Sequence, residues 1–120
     1  MTMKSMALAL LVGVSAPALA HEAKGPNGGR MVDAGSYHAE LVAKQQTIEV
    51  YISDSADKPV APAGFKAVAI LVVGGKSQRI TLEPAEGRLT GKAAVDVPAN
   101  PKGVVQLTAP DGATAQAQFK

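Results

Sequence analysis

The chain contains no cysteine and no tryptophan. Without cysteine there is no disulfide, no thiolate metal site and no thiol nucleophile. Aromatic residues are few: Tyr37, Tyr51, Phe65 and Phe119 are all of them. Ala, Val, Ile and Leu must therefore fill the core, each burying modest area at about 25 cal/mol per Å2. No cluster of Lys or Arg occupies one segment, and the formal net charge is only +2. That balance argues against nucleic acid and anionic lipid as partners. No stretch after residue 20 sustains a helical apolar period. No apolar run reaches the roughly 20 residues that span a bilayer as a helix.

What is present begins at the first residue. Lys4 gives a positive start, Met6 to Val14 form a short apolar run, and Ala16-Pro17-Ala18-Leu19-Ala20 follows with small residues at Ala-x-Ala spacing. This is the pattern of a secretory signal peptide over residues 1–20, and it predicts an exported protein with no membrane span after cleavage. Cleavage after Ala20 makes His21 the first residue, with an α-amine and an imidazole on one side chain's reach. Removing Lys4 from the 12 basic residues leaves 11 against 10 acidic ones, a nearly neutral mature chain.

Residues 21–35 are expected to be a flexible Gly/Pro-rich N-terminal segment, with 36–120 as the folded domain. Gly25-Pro26-Asn27-Gly28-Gly29 is turn chemistry and fits neither a phosphate loop nor a dinucleotide fingerprint. From Tyr37 the pattern has period two. Tyr37, Ala39, Leu41 and Ala43 share one face, and Ile48, Val50 and Ile52 repeat it after the short link Lys44-Gln45-Gln46, so the two runs read as a hairpin. Ala67 to Val73 is apolar throughout and reads as a central strand buried on both faces. Gly74-Gly75 turns it into a second hairpin. Ala94 or Val95, with Val97, are the apolar positions of a later strand, and Pro110-Asp111-Gly112 centres a last hairpin. The expected fold is all-β, a small immunoglobulin-like sandwich or open barrel of about seven strands. The expected core includes Ile48, Val50, Ile52, Ile70, Val72, Ile80, Leu82, Leu107 and Phe119.

Catalysis has little to work with: two histidines and no nucleophile-elbow serine. Asp54 and Asp57 in one loop read as a solvated turn, without the ligand count or glycine spacing of a calcium loop. The chain is therefore not expected to be an enzyme. The histidines point to metal. The His21 amine and imidazole form a chelating pair, and His38 offers a third nitrogen. Such a nitrogen set suits copper(II), while Met31 adds a soft thioether that suits copper(I). Glu22 and Asp33 are nearby oxygen donors. The plainer alternative makes His38 a solvent-facing strand residue and His21 a chain end.

Several short segments carry a family likeness: Gly25-Pro26-Asn27-Gly28-Gly29-Arg30, then Tyr37-His38-Ala39-Glu40-Leu41-Val42, then Val50-Tyr51-Ile52-Ser53-Asp54 with Asp57-Lys58-Pro59-Val60, and more loosely the stretch to Leu89-Thr90-Gly91-Lys92. Through these the chain resembles small exported proteobacterial proteins similar to the N-terminal metal-related segment of periplasmic adaptor subunits of heavy-metal efflux pumps. The resemblance implies a β domain in the envelope of a Gram-negative cell, with metal handling as its theme. Histidines that such proteins often carry in the first turn and the later loop correspond here to Asn27 and a position near Ser55, which leaves His21 and His38 as the implied ligands. The expectation is a periplasmic protein that binds or buffers a transition metal, copper first, beside an efflux-pump component. The alternative from a different class is a metal-free module that docks on an envelope protein through a sheet edge.

Overall fold

The computed structural model describes residues 22–120. The signal-peptide segment and His21 lie outside the described residues. Eight strands follow in order: β1 (Glu22–Lys24), β2 (Arg30–Ala34), β3 (Tyr37–Ser53), β4 (Lys66–Val73), β5 (Lys76–Ala85), β6 (Arg88–Val97), β7 (Lys102–Thr108) and β8 (Thr114–Phe119). They pair antiparallel in the spatial order β1-β2-β3-β6-β5-β4-β7-β8. The fold is all-β, a sheet curled into an open half-barrel. No helix among the described residues is long and apolar enough to cross a membrane.

Strands that change partner produce the curl. Lys76 to Leu82 of β5 pair with β4, whereas Glu83 to Ala85 pair with β6. β3 pairs with β2 through Tyr37 to Leu41 and with β6 through Gln45 and Thr47 to Val50. β3 also doubles back. Met31 pairs with Glu40, yet Met31 Sδ lies 4.0 Å from the Ser53 hydroxyl. An extended strand would carry Ser53 about 43 Å from Glu40, at about 3.3 Å for each of the 53 − 40 = 13 steps. The reversal falls in the Lys44-Gln45-Gln46 link, where Gln45 takes a φ of 57°. The curl also brings the two ends of the sheet together. The Arg30 guanidinium sits 5.7 Å from the Phe119 ring centroid, donates to the Lys120 carbonyl at 2.7 Å and donates to the Pro101 carbonyl.

The inward face is the core. Leu41, Ile48, Val50, Leu71, Leu82, Leu89, Val105 and Leu107 are its largest fully buried apolar side chains, and Ile52, Ile80 and Phe119 join them. Tyr37 closes one end against Phe65, edge to face at 5.3 Å.

Two expectations about the core need correction. Ile70 is only half-buried and Val72 is 47 % exposed; Ala67, Ala69 and Leu71 point inward instead. A strand apolar at every position gives no phase, and among the described residues no second layer covers the outward face of β4 to bury both sets. In β6, Ala93 and Val97 are buried while Ala94 and Val95 are exposed. Gln45 pairs with Val97 and Thr47 with Lys92, so four residues of β6 face one of β3. That bulge breaks the alternation.

The structure also has strands inside the stretch expected to be a loose N-terminal segment. β1 and β2 are part of the sheet, and the turn between them is fastened to β3. The count is therefore eight strands rather than about seven.

Candidate functional site

The outward face of β2 and β3 carries Met31, Asp33, His38 and Glu40. Their inward neighbours Val32, Ala34, Ala39 and Leu41 are core. The register sets Met31 opposite Glu40 and Asp33 opposite His38. Two connections fold over this face: the Gly25–Gly29 turn covers Glu40, and the loop after β3 reaches His38.

Glu40 is 1 % exposed. Its Oε2 accepts the backbone N–H of Asn27 at 2.8 Å and of Gly29 at 2.8 Å, and its Oε1 accepts the Asn27 side-chain amide at 2.9 Å. The Gly25 N–H to Gly29 carbonyl bond closes the turn at 2.8 Å. A Cβ at Gly25 would overlap the Glu40 side chain, and one at Gly29 would overlap the Leu41 carbonyl. The glycines are there for close approach. Neutral donors solvate a buried carboxylate, which makes the turn part of the domain.

His38 is gripped at both ring nitrogens. Nδ1 lies 3.0 Å from Asp57 Oδ1, and Nε2 lies 3.2 Å from Asp33 Oδ1. The imidazole is about one quarter exposed, at 26 %. Asp57 belongs to a tight turn. Asp54 Oδ1 accepts N–H groups from Ala56 at 2.8 Å and Lys58 at 2.9 Å. The Asp54 carbonyl accepts the Asp57 N–H at 2.9 Å. Beside this pair a groove of about 750 Å3 is lined by Lys24, Pro26, Met31, Tyr51, Ser53 and Asp57.

A second buried carboxylate sits further along β3. Glu49 is 6 % exposed and is held by cations instead, with Arg88 Nε at 2.8 Å and Lys44 Nζ at 3.5 Å. The Tyr51 hydroxyl donates to it at 3.2 Å. Burial, and then the Glu49 charge, raise the Tyr51 phenol above its ordinary value.

The residues singled out in the sequence are thus placed unevenly. His38 stands in the centre of a polar cluster. Met31 shares its face and lines the adjoining groove. His21 is outside the described residues. Among the described residues no three His, Cys, Asp or Glu side chains form a ready-made metal cluster. Sequence reasoning gave Glu40 no role beyond an outward strand position, and read Asp57 as part of a solvated turn. The one signal for Glu40 was the paired glycines, which leave room for something to come close. Nothing in the spacing tied Asp57 to a histidine 19 residues earlier.

No family model, curated protein or solved structure matches this chain.

Proposed function

We propose that this protein binds a divalent transition-metal ion, copper(II) first, at the outward corner formed by β1, β2 and β3. The observation that carries the reading is the double grip on His38. With its proton on Nδ1 for Asp57, the ring turns the Nε2 lone pair toward Asp33 Oδ1 at 3.2 Å. Two acceptors at that distance repel unless a cation stands with them. A second ring proton is one such cation and a metal ion is another. The separation suits neighbouring ligands of one ion, which sit about 3 Å apart when each metal bond is about 2.0–2.2 Å. Nitrogen and oxygen donors together suit copper(II) in tetragonal coordination.

Two donors make a weak site, so others are needed, and the sequence offers His21 as their source. Glu22 pairs with Val32, and the next residue along β2 is Asp33, opposite His38. The described ladder ends at Glu22, the residue next to His21 in the sequence. The terminal amine and imidazole would then join the Nε2 of His38 and the Asp33 carboxylate, with Met31 two residues along the same face as a softer donor. The export pattern of residues 1–20 supports a periplasmic setting, and the resemblance to efflux-adaptor segments supports a buffering or accessory role in metal resistance.

The test is a copper(II) titration of residues 21–120 with a native N-terminus, followed by electron paramagnetic resonance. One ion should bind, with nitrogen hyperfine structure, and binding should weaken on acidification because amine and imidazole ligate only when deprotonated. His38→Ala, and separately one residue added before His21, should each weaken it at least tenfold. If no form binds below millimolar copper, the reading is wrong and the sheet-edge docking module takes its place.

A further inference from the structure

We infer that Asp57 is a positioning residue for His38, retained at a cost to its own backbone so that the imidazole presents Nε2 as a ligand. The ligand half of this inference rests on the metal reading above; the orientation half does not. Asp57 takes a φ of 64°, in the left-handed region that glycine occupies freely and that aspartate tolerates at a smaller cost than most residues. Within the turn, the demands on position 57 are met by backbone alone. Asp54 supplies the capping side chain, accepting from Ala56 and Lys58, and the Asp57 N–H closes onto the Asp54 carbonyl. The Asp57 side chain itself reaches away from the turn, to His38 Nδ1 at 3.0 Å. Glycine would serve the turn's backbone as well, and what the carboxylate adds is its contact with His38.

That contact does specific chemical work. Each ring nitrogen faces a carboxylate, Asp57 on Nδ1 at 3.0 Å and Asp33 on Nε2 at 3.2 Å; the shorter Asp57 contact favours the Nδ1–H form, which leaves the Nε2 lone pair for a cation shared with Asp33. Metal-ligating histidines commonly have their other nitrogen bound by such a carboxylate, which fixes the tautomer and raises ligand basicity. The turn is itself anchored to the sheet. The Val60 N–H donates to the Ile52 carbonyl at 2.9 Å, and Ser53 bridges to Pro59. Asp57 is therefore delivered by a braced loop, at 69 % side-chain exposure. The strained position and the oriented ring form one unit, in which local backbone strain is spent on a side-chain position.

The experiment compares the wild-type protein, Asp57→Gly and Asp57→Asn by three readouts. The first is thermal unfolding. Asp57→Gly should unfold at the same temperature as wild type or higher, because relief of the left-handed strain offsets the lost surface contact. A clear drop would mean that the carboxylate holds the fold, and would overturn the inference. The second is the ring 15N spectrum of His38 in metal-free protein at a pH where the ring is neutral. Wild type and Asp57→Asn, which keeps an Oδ1 acceptor, should show Nδ1–H; Asp57→Gly should shift toward Nε2–H. A wild-type ring in the Nε2–H form, or a tautomer indifferent to residue 57, would overturn the orientation half. The third is copper(II) affinity, which should fall by about ten- to a hundredfold in Asp57→Gly and by less in Asp57→Asn. Equal affinity in all three would overturn the ligand half. If wild type binds no copper while the tautomer follows residue 57 as expected, the metal reading fails and the positioning of the ring stands.

Discussion

The β1–β2–β3 corner and the β4–β7–β8 region share one inward plan and differ on the outward face. Inward, both alternate apolar residues into a common core: Val32, Ala39 and Leu41 on one side, Ala69, Leu71, Val105 and Ala117 on the other. Outward, the β4–β7–β8 region is plain. Val72, Gln106, Gln116 and Gln118 are exposed there, and no described loop lies over them. At the corner, a turn and a loop fold down onto the strands, and the outward residues become a buried glutamate and a half-covered histidine with named partners. The same strand pattern therefore yields a bland surface or a chemical site according to what the connections do. Short hairpin turns such as Gly74-Gly75, with φ of 60° and 79°, close the sheet and cover nothing. The connections 25–29 and 54–65 fold onto the strands and carry the polar chemistry.

The largest expected effect belongs to the shared plan. Leu71→Ala should cost about 2–5 kcal/mol in urea unfolding, as a fully buried leucine does. Its outward neighbour Ile70→Ala should cost about 1 kcal/mol or less, nearer the scale of surface substitutions. Equal costs would mean that something covers the outward face of β4 and would erase the contrast between the two regions.

Next comes the fastening of the corner. Glu40→Ala strands two backbone N–H groups and an amide under the turn. The cost should be on the order of 3 kcal/mol, given about 1–3 kcal/mol for a stranded buried partner. Hydrogen exchange should localise it: the Asn27 and Gly29 amides should exchange faster while β7 and β8 keep their protection. A uniform loss across the sheet would show that Glu40 supports the whole core and not the corner alone.

A smaller effect sharpens the comparison between the two buried glutamates of β3. Glu40 is met by neutral donors, whereas Glu49 is met by Arg88, Lys44 and the Tyr51 hydroxyl. The Tyr51 phenol is raised above its ordinary 10.0, first by burial and then by Glu49. The unfolded chain then releases this proton first as the solution becomes alkaline. The contribution is complete below about pH 10 and is lost as pH rises through the folded value. Tyr51→Phe should flatten the fall in stability above pH 10. An unchanged alkaline limb would remove Tyr51 from that balance.

How much of this was legible in the sequence follows from the kind of signal each element carries. Period-two runs with turn residues between them identify strands, and Ile48, Val50 and Ile52 declare their inward face because Glu49 and Tyr51 alternate with them. Ala67 to Val73 has no polar residue to set its phase, so Ile70 and Val72 could not be told from Ala69 and Leu71. Gly25–Gly29 announces a turn through its own chemistry. The carboxylate that it wraps comes from the next strand, so β1 and β2 looked like loose chain. His38 stood out as one of two histidines, yet its partners Asp33 and Asp57 meet it only because β2 pairs with β3 and the chain reverses at Gln45. Contacts that depend on where a strand doubles back leave no trace in residue spacing.

The central claim is that His38 and Asp33 share a cation at this corner, and a paramagnetic ion maps it most directly. Substoichiometric copper(II) is added to uniformly 15N-labelled residues 21–120, and the broadening of backbone amide signals is followed along the chain. The expected result is selective broadening at Glu22, Ala23, Asp33, Tyr37, His38 and Asp57, with β4, β7 and β8 untouched, and its loss in His38→Ala. Broadening centred elsewhere, or broadening at the corner that persists in His38→Ala, would contradict it.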